Sequence, residues 1–419
     1  MEKKNNILLI TNGFPYDGSE VSFLDTEFQL LTQRYHISVL ALGANPNGNI
    51  DSKYRKEDVR YYSVSVPKLN PIGLIAQLFH KWVRKEICNS WSAKEKRNSL
   101  RRIPYLLLFS YRSDIYYKKI EEIFNCRQFD LIYTFWCTPA TFSAYRYAKD
   151  RGIKYMTRFH GGDLYVERMK ERGSYFPFRT IIADTADRLV FLSDAAKEYF
   201  SSHWKIQDGR GLISPLGTHP FATLPYFEIS ENVVSMVTTA NSIKLKRINL
   251  IIDAIAEVDS KYHIIWNYFG NGEDWSELKS YADMRLSKGN IEWHFRGKIR
   301  HEELYDWYKK VQASVFILAS ETEGVPVSIE EALGMGLAII ATDVGGVKEE
   351  VIQDVTGYLL RSDPTVEEIK NAIEKYIDLS VEKKIAMKKE SVELWERKYD
   401  ARLNAKKLIA SIEDILGAG

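Results

Sequence analysis

Long apolar runs are missing from this chain. No uninterrupted stretch among its 419 residues approaches the roughly 20 residues that cross a bilayer, so no membrane-spanning helix is expected. Cysteine is scarce. Cys88, Cys126 and Cys137 form no Cys-x-x-Cys and cannot all pair, so reduced thiols in a cytosolic protein are expected. The N-terminus Met-Glu-Lys-Lys-Asn-Asn runs straight into a strand with no apolar h-region, and no signal peptide is expected. Charge of one sign is lacking too: 58 Lys+Arg against 56 Asp+Glu leave +2, which gives no nucleic-acid signal. There is no His-Glu-x-x-His, no Gly-x-Gly-x-x-Gly, and no Ser or Thr after Gly297-Lys298. A protein metal site, a dinucleotide-dependent dehydrogenase and a P-loop are therefore not expected.

What remains is a soluble globular composition, 45% hydrophobic and 27% charged, with material for two domains of roughly 200 residues. Short apolar runs alternate with helical patterns. The predicted strands are 7–11, 37–42, 131–135, 155–159 and 189–192, then 233–238, 263–269, 291–295, 314–318, 338–342 and 357–360. Helical spacing lies between them at 21–31, 249–258 and 302–311. Runs of this kind suit parallel strands buried on both faces, and the alternation predicts α/β architecture with doubly wound sheets. Pro215-Leu-Gly-Thr-His-Pro220 and the following Leu-Pro-Tyr read as a linker. The expected domains are 1–218 and 230–392, with a final helix, 393–419, packing back on the first.

Residues 71–112 depart from the pattern. The apolar Pro-Ile-Gly-Leu-Ile-Ala-Gln-Leu-Phe is followed by Lys81, Arg84, Lys85, Lys94, Lys96, Arg97, Arg101 and Arg102, with Trp82 and Trp91 between them. A basic amphipathic helix on an anionic membrane needs this mixture. An insertion with a solvated charged face has the same composition. Both readings stand at this point.

The most informative stretch is Ser320-Glu-Thr-Glu-Gly-Val-Pro-Val-Ser-Ile-Glu-Glu-Ala-Leu-Gly. It reads as a strand exit, an acidic loop and a helix opened by Val325-Pro326, with proline at the first helical position. Val325, Ile329, Ala332 and Leu333 share the inward face. The helix start offers free amides and a positive dipole end to a diphosphate, and Gly324 permits close approach. Glu323 lies before the helix and Glu331 well inside it, so they are expected to do separate work. One carboxylate would hold sugar hydroxyls and the other ribose hydroxyls.

This stretch resembles the E-x7-E signature of retaining, family-4-type glycosyltransferases with the GT-B fold, of the kind that build bacterial surface polysaccharides. Glu323 and Glu331 stand at the two motif glutamates. Ala338–Gly346 and Gly357-Tyr-Leu resemble the strands that follow. The Asn12–Glu20 loop resembles the family's glycine turn, with Gly18 at the glycine whose neighbouring amides face the donor. Phe159-His-Gly-Gly-Asp163 resembles the H-x-x-D loop, with His160 beside the reacting carbon and Asp163 on the donor side. Thr238–Ala254 resembles the R-x4-K-G region. It puts Lys246 on the diphosphate, Asn241 where the family has arginine, and Arg247 where it has glycine; Lys244 or Arg247 would supply the missing charge. Ser242 falls in the same loop. Gly270-Asn-Gly272 and Gly297 resemble turns that meet the nucleotide.

The resemblance implies a two-domain enzyme with its site in the cleft. A nucleotide-diphosphate sugar is the donor and a glycan or lipid-linked saccharide the acceptor. No cofactor or metal is implied, nor any nucleic acid. The location implied is cytoplasmic, peripheral on the inner face of the cell membrane. Two other readings fit: a nucleotide-sugar 2-epimerase of the same architecture, and a non-catalytic carbohydrate- or nucleotide-binding subunit, which the departure at Asn241 favours. The sequence names neither the sugar, the base nor the acceptor.

Overall fold

The computed structural model describes all residues except 1–3, 17, 45–47, 67, 90–98, 126, 220–231, 312 and 418–419. The chain divides into two units. One comprises the residues up to Ser214 together with those from Ala405 onward; the other is Pro215–Asn404. Most of the expected linker falls outside the described residues.

The first unit is built on β1 (Asn6–Thr11), β2 (His36–Leu42), β3 (Arg60–Val64), β4 (Leu131–Thr134), β5 (Lys154–Arg158), β6 (Arg188–Phe191) and β7 (Gly211–Ile213). They form one parallel sheet in the order β3-β2-β1-β4-β5-β6-β7. The inner strands are buried on both faces, which is why their sequences are continuous apolar runs. The two outer strands lacked that signal. Arg-Tyr-Tyr-Ser-Val is half exposed, and Gly-Leu-Ile is three residues long.

The second unit uses β8 (Val233–Thr239), β9 (His263–Phe269), β10 (Ile291–Gly297), β11 (Val315–Leu318), β12 (Ala338–Thr342) and β13 (Gly357–Leu360). All are parallel, in the order β10-β9-β8-β11-β12-β13. In each sheet the order reverses once, beside β1 and beside β8. Ligands of doubly wound sheets bind at the carboxyl ends of strands at such a reversal.

Two boundaries differ from expectation. Residue 393 lies inside a helix that runs unbroken from Val381 to Lys398, so the turn into the last helix comes at Tyr399–Asp400. That turn is held by the start of the second unit: Thr218 N–H donates to Tyr399 O at 2.9 Å, and Trp395 Nε1 donates to Thr218 Oγ1 at 2.7 Å. The helix Ala401–Gly417 reaches the first unit through its distal part, where Arg188 pairs with Asp414 at 2.5 Å.

The 71–112 region is not one surface insertion. Its second half opens the helix Ser99–Phe124, whose Leu106, Leu107 and Phe109 are buried core. Arg102 is buried as well, and its Nε donates to Gly173 O at 2.9 Å. The stretch containing Trp91, Lys94, Lys96 and Arg97 is outside the described residues. What lies on the surface is Leu69, Ile72, Ile75, Leu78 and Phe79, followed by exposed Lys81, Arg84 and Lys85.

Candidate active site

In the second unit three loops meet at the carboxyl ends of β8, β11 and β12. Main-chain bonds lock them together. Glu321 N–H donates to Leu245 O at 2.8 Å, and Gly346 N–H donates to Gly324 O at 2.7 Å. Gly345 has φ +59°, and a β-carbon there would lie 2.1 Å from Glu323 O. Only glycine lets the β12 loop pass this close beneath the acidic loop.

The lock brings Lys246 and Glu323 together. Lys246 ends a short 3-10 turn after β8, and its Nζ donates to Glu323 Oε1 at 2.5 Å. Their side chains keep 20% and 11% exposure, so the pair is reachable from solvent. Beside it the helix Val327–Gly334 begins one residue later than expected: Pro326 is its N-cap, and no side chain caps its first turn. The N–H groups of Val327 and Ser328 at its start are therefore open to a ligand together with the dipole end. Ile329, Ala332 and Leu333 are fully buried, as their stripe predicted, while Val325 is half-buried.

Glu331 lies inside the same helix, 2% exposed, and Tyr305 Oη donates to its Oε1 at 3.3 Å. Burial pushes its carboxyl up to about 8, against the pull of the Tyr305 hydroxyl. Glu330 and Glu350, which the sequence reading passed over, are fully buried beneath it. Neither carboxylate has a hydrogen-bond partner among the described residues. Burial and then the charge of Glu331 raise Glu330 to about 8; the Gly217 amide faces it and opposes the shift. Glu350 is raised well above the usual range, first by burial and then by Glu330 and Glu323.

These carboxyls set a pH dependence. A carboxyl whose folded pKa exceeds its unfolded value near ~4.3 holds a proton that unfolding releases, so stability falls as pH rises from there through the folded value. The fall is expected from about pH 4.5 to 8. Glu330→Gln, neutral throughout, should flatten it and be the more stable form at pH 8, by on the order of 1 kcal/mol. Urea unfolding of both proteins at pH 5 and pH 8 checks this; equal slopes with pH would refute it.

The remaining expected residues fall into different roles. Asn241 is exposed, as is Lys244, which makes no ion pair among the described residues. Arg247, at φ +48°, donates to Ser362 O at 2.9 Å and sits 3.4 Å from Asp363. The buried Ser242 hydroxyl is 2.7 Å from Tyr268 Oη, and the Ser242 N–H donates to Asn271 O at 3.0 Å. Ser242 thus pins the Lys246 loop to the Gly270–Gly272 turn. Gly297 ends β10 at φ +75°, and its carbonyl accepts from the Gly270 N–H at 3.1 Å.

In the first unit His160 follows β5 and caps the turn Gly161–Leu164. Its Nδ1 accepts from the Gly162 N–H at 2.7 Å, which leaves the proton of the neutral ring on Nε2. Trp136 packs edge-on at 4.5 Å. Asp163 was expected on the donor. It is buried, with its oxygens accepting from the His160 N–H at 2.9 Å and the Cys137 N–H at 3.0 Å. Both oxygens thus hold the His160 loop. Gly18 opens the helix Gly18–Arg34. At the start of the same loop the amides of Asn12, Gly13 and Phe14 donate to Glu20 at 3.0, 2.7 and 3.0 Å.

Comparison with known proteins follows the same division. Residues 85–218 match the family model described as Glycosyltransferase Family 4, and residues 228–393 the one described as Glycosyl transferases group 1. The matches support a glycosyltransferase. An uncharacterized glycosyltransferase of Methanocaldococcus jannaschii is 23% identical over 275 residues, covering 65% of this chain and 73% of that protein. A second from the same archaeon is 30% identical over 225 residues, 50% of this chain and 55% of that one. Among solved structures, the sucrose-phosphate synthase of Thermosynechococcus elongatus superposes with a TM-score of 0.72 at 16% identity, over 99% of this chain and 100% of that one. Anabaena HepE in complex with UDP and glucose gives 0.66 at 14%, over 98% and 100%. Likeness at these identities establishes the fold, which is GT-B. For a glycosyltransferase of this fold the sequence reading missed the buried acids Glu330 and Glu350. The one available signal was the Glu330-Glu331 doublet inside an otherwise apolar helix.

Proposed function

We propose that the chain is a retaining glycosyltransferase that moves a hexosyl group from a nucleotide-diphosphate sugar to a glycan or lipid-linked saccharide. The observation that carries this reading is the Lys246–Glu323 pair at an uncapped helix start, at the reversal of a parallel sheet. The acceptor hydroxyl oxygen bonds to the anomeric carbon as that carbon's bond to the diphosphate oxygen breaks. The diphosphate leaves with the electron pair, and the hydroxyl proton passes to a departing phosphate oxygen. Lys246 and the first-turn amides of 327–334 meet the developing negative charge. Glu323 holds the sugar hydroxyls, Glu331 the ribose, and His160 the face of the reacting sugar. UDP is the first nucleotide to try, since relatives of this fold have been solved with it. The test is a panel of nucleotide sugars, with EDTA present, scored for hydrolysis and thermal stabilisation. One donor should stabilise the protein and release its sugar with retained configuration. Stabilisation by none, or release of an epimerised sugar, would overturn the proposal.

A peripheral membrane contact belongs to the same reading. Ile72 and Phe79 are 79% and 81% exposed on the described surface just ahead of Lys81, Arg84 and Lys85. Apolar side chains beside exposed cations suit an anionic lipid face. Among the described residues no helix is long and apolar enough to cross a membrane. Binding to phosphatidylglycerol vesicles is expected to drop on the order of fivefold in Ile72→Glu/Phe79→Glu. Equal sedimentation of both proteins would rule the contact out.

A further inference from the structure

The first unit holds a cavity of about 220 Å³ beside His160. One wall is a single face of the helix Ser99–Phe124: Tyr105, Phe109 and Arg112 are spaced four and three residues apart, so their side chains stack along the helix. Arg172 and Phe176 also line it. The cavity combines aromatic walls with two arginines, Arg112 and Arg172, that meet no carboxylate among the described residues. Arg112 makes no ion pair among the described residues, and its buried Nε has no hydrogen-bond partner. Arg172 is exposed, with its guanidinium 4.8 Å over the Tyr105 ring, and likewise meets no carboxylate among the described residues. Arg179 does not itself line the cavity; it is buried next to Phe176, donates to the Asp163 carbonyl and pulls the Asp163 carboxyl down against burial. The one acidic residue in the lining is Asp163, whose oxygens are committed to the amides of His160 and Cys137.

Burying part of a guanidinium without a partner costs free energy that an incoming oxyanion returns. Planar guanidinium forks fit phosphoryl and carboxylate oxygens, and aromatic faces fit the apolar side of a sugar ring. The residue before Arg112 links this cavity to the exposed apolar segment. Tyr111 Oη donates to Lys68 O at 3.1 Å, and its ring packs against Gly73.

We propose that this cavity is the acceptor subsite and that it selects an acceptor carrying an oxyanion, a phosphoryl or a carboxylate, next to the sugar that is extended. The proposal rests on the glycosyltransferase reading for the word acceptor; anion binding by Arg112 and Arg172 does not depend on it.

The experiment is calorimetric titration of the full chain, with UDP present, using phenyl phosphate, phenyl β-glucuronide and neutral phenyl β-glucoside. At least one anion should bind about tenfold tighter than the glucoside, with affinity falling as salt rises. Arg112→Gln should remove that preference and leave glucoside and UDP affinity within about twofold, while Arg112→Lys keeps part of it. Arg172→Gln, at an exposed position, gives the same reading with little risk to folding and should weaken the anion several-fold. A tighter phosphate assigns a phosphorylated, lipid-type acceptor; a tighter glucuronide assigns a uronate. Anions that bind no tighter than the glucoside, or variants that keep the preference, overturn the proposal. Arg112-dependent anion binding without hydrolysis of any nucleotide sugar would sink the glycosyltransferase reading and leave the anion site standing. Hydrolysis without anion preference would do the reverse.

Discussion

Lys246→Ala and Glu323→Ala should each lower kcat by about 10²- to 10³-fold, the loss typical of one preorganised group facing a developing charge. The lysine is held in place before any ligand arrives, 2.5 Å from the glutamate, so little reorganisation is needed at the moment of transfer. Removing it leaves a carboxylate with only 11% side-chain exposure beside the place where a diphosphate gathers negative charge, so the enzyme loses an attraction and keeps a repulsion. Removing Glu323 frees the lysine and loses the grip on the sugar hydroxyls. Because the two side chains act on each other, the double variant should cost less than the product of the single losses. Both variants should fold, since main-chain bonds fix their loops. Single-turnover hydrolysis of the donor, with melting temperature as a folding control, decides the matter. A variant with native melting temperature and native turnover would remove that residue from the proposed chemistry.

The second large effect concerns stability. Glu27→Ala should destabilise the first unit by about 3–5 kcal/mol, the cost of stranding a buried charge. Arg158 ends β5 two residues before His160 and is fully buried. Its Nη2 donates to Glu27 Oε2 at 2.7 Å, while Tyr133 Oη donates to Glu27 Oε1 at 2.9 Å. Burial works most strongly against the arginine's charge, and Glu27 together with Tyr133 outweighs it. Without Glu27 the guanidinium has no carboxylate in this cluster, and the strand end that carries His160 loses its anchor. Replacing both partners with apolar residues of similar size should recover most of the loss. Urea unfolding of the single and double variants measures this; a loss below 1 kcal/mol for Glu27→Ala would refute it.

Period and composition made the inner strands legible, because a strand buried on both faces must be apolar throughout. Ala338–Thr342 and His263–Phe269 were readable to the residue for that reason. The edges β3 and β7 were not, since an edge strand needs neither continuous apolarity nor length. Glu323, Lys246 and His160 were singled out by their resemblance to family motifs, and the structure brings Lys246 and Glu323 together. What escaped was set by distant partners. Glu20 meets the amides of the first loop, Ser362 and Asp363 meet Arg247, and Asp163 serves two amides. No local pattern announces a bond between residues 115 positions apart. Glu330 was hidden for another reason: an acid on an eight-residue helix looks solvent-facing until the helix Val381–Lys398 is packed against it.

The way the donor-side loops are tied together bears on how this enzyme can change. Bonds between main-chain atoms do not register which side chain is attached. The Lys246 loop is held by the carbonyl of Leu245 and the amide of Ser242, so positions 241 and 244 can vary while the lysine stays in place. Under the proposed function, a small library at these two positions should alter donor preference without moving the main chain that carries Lys246.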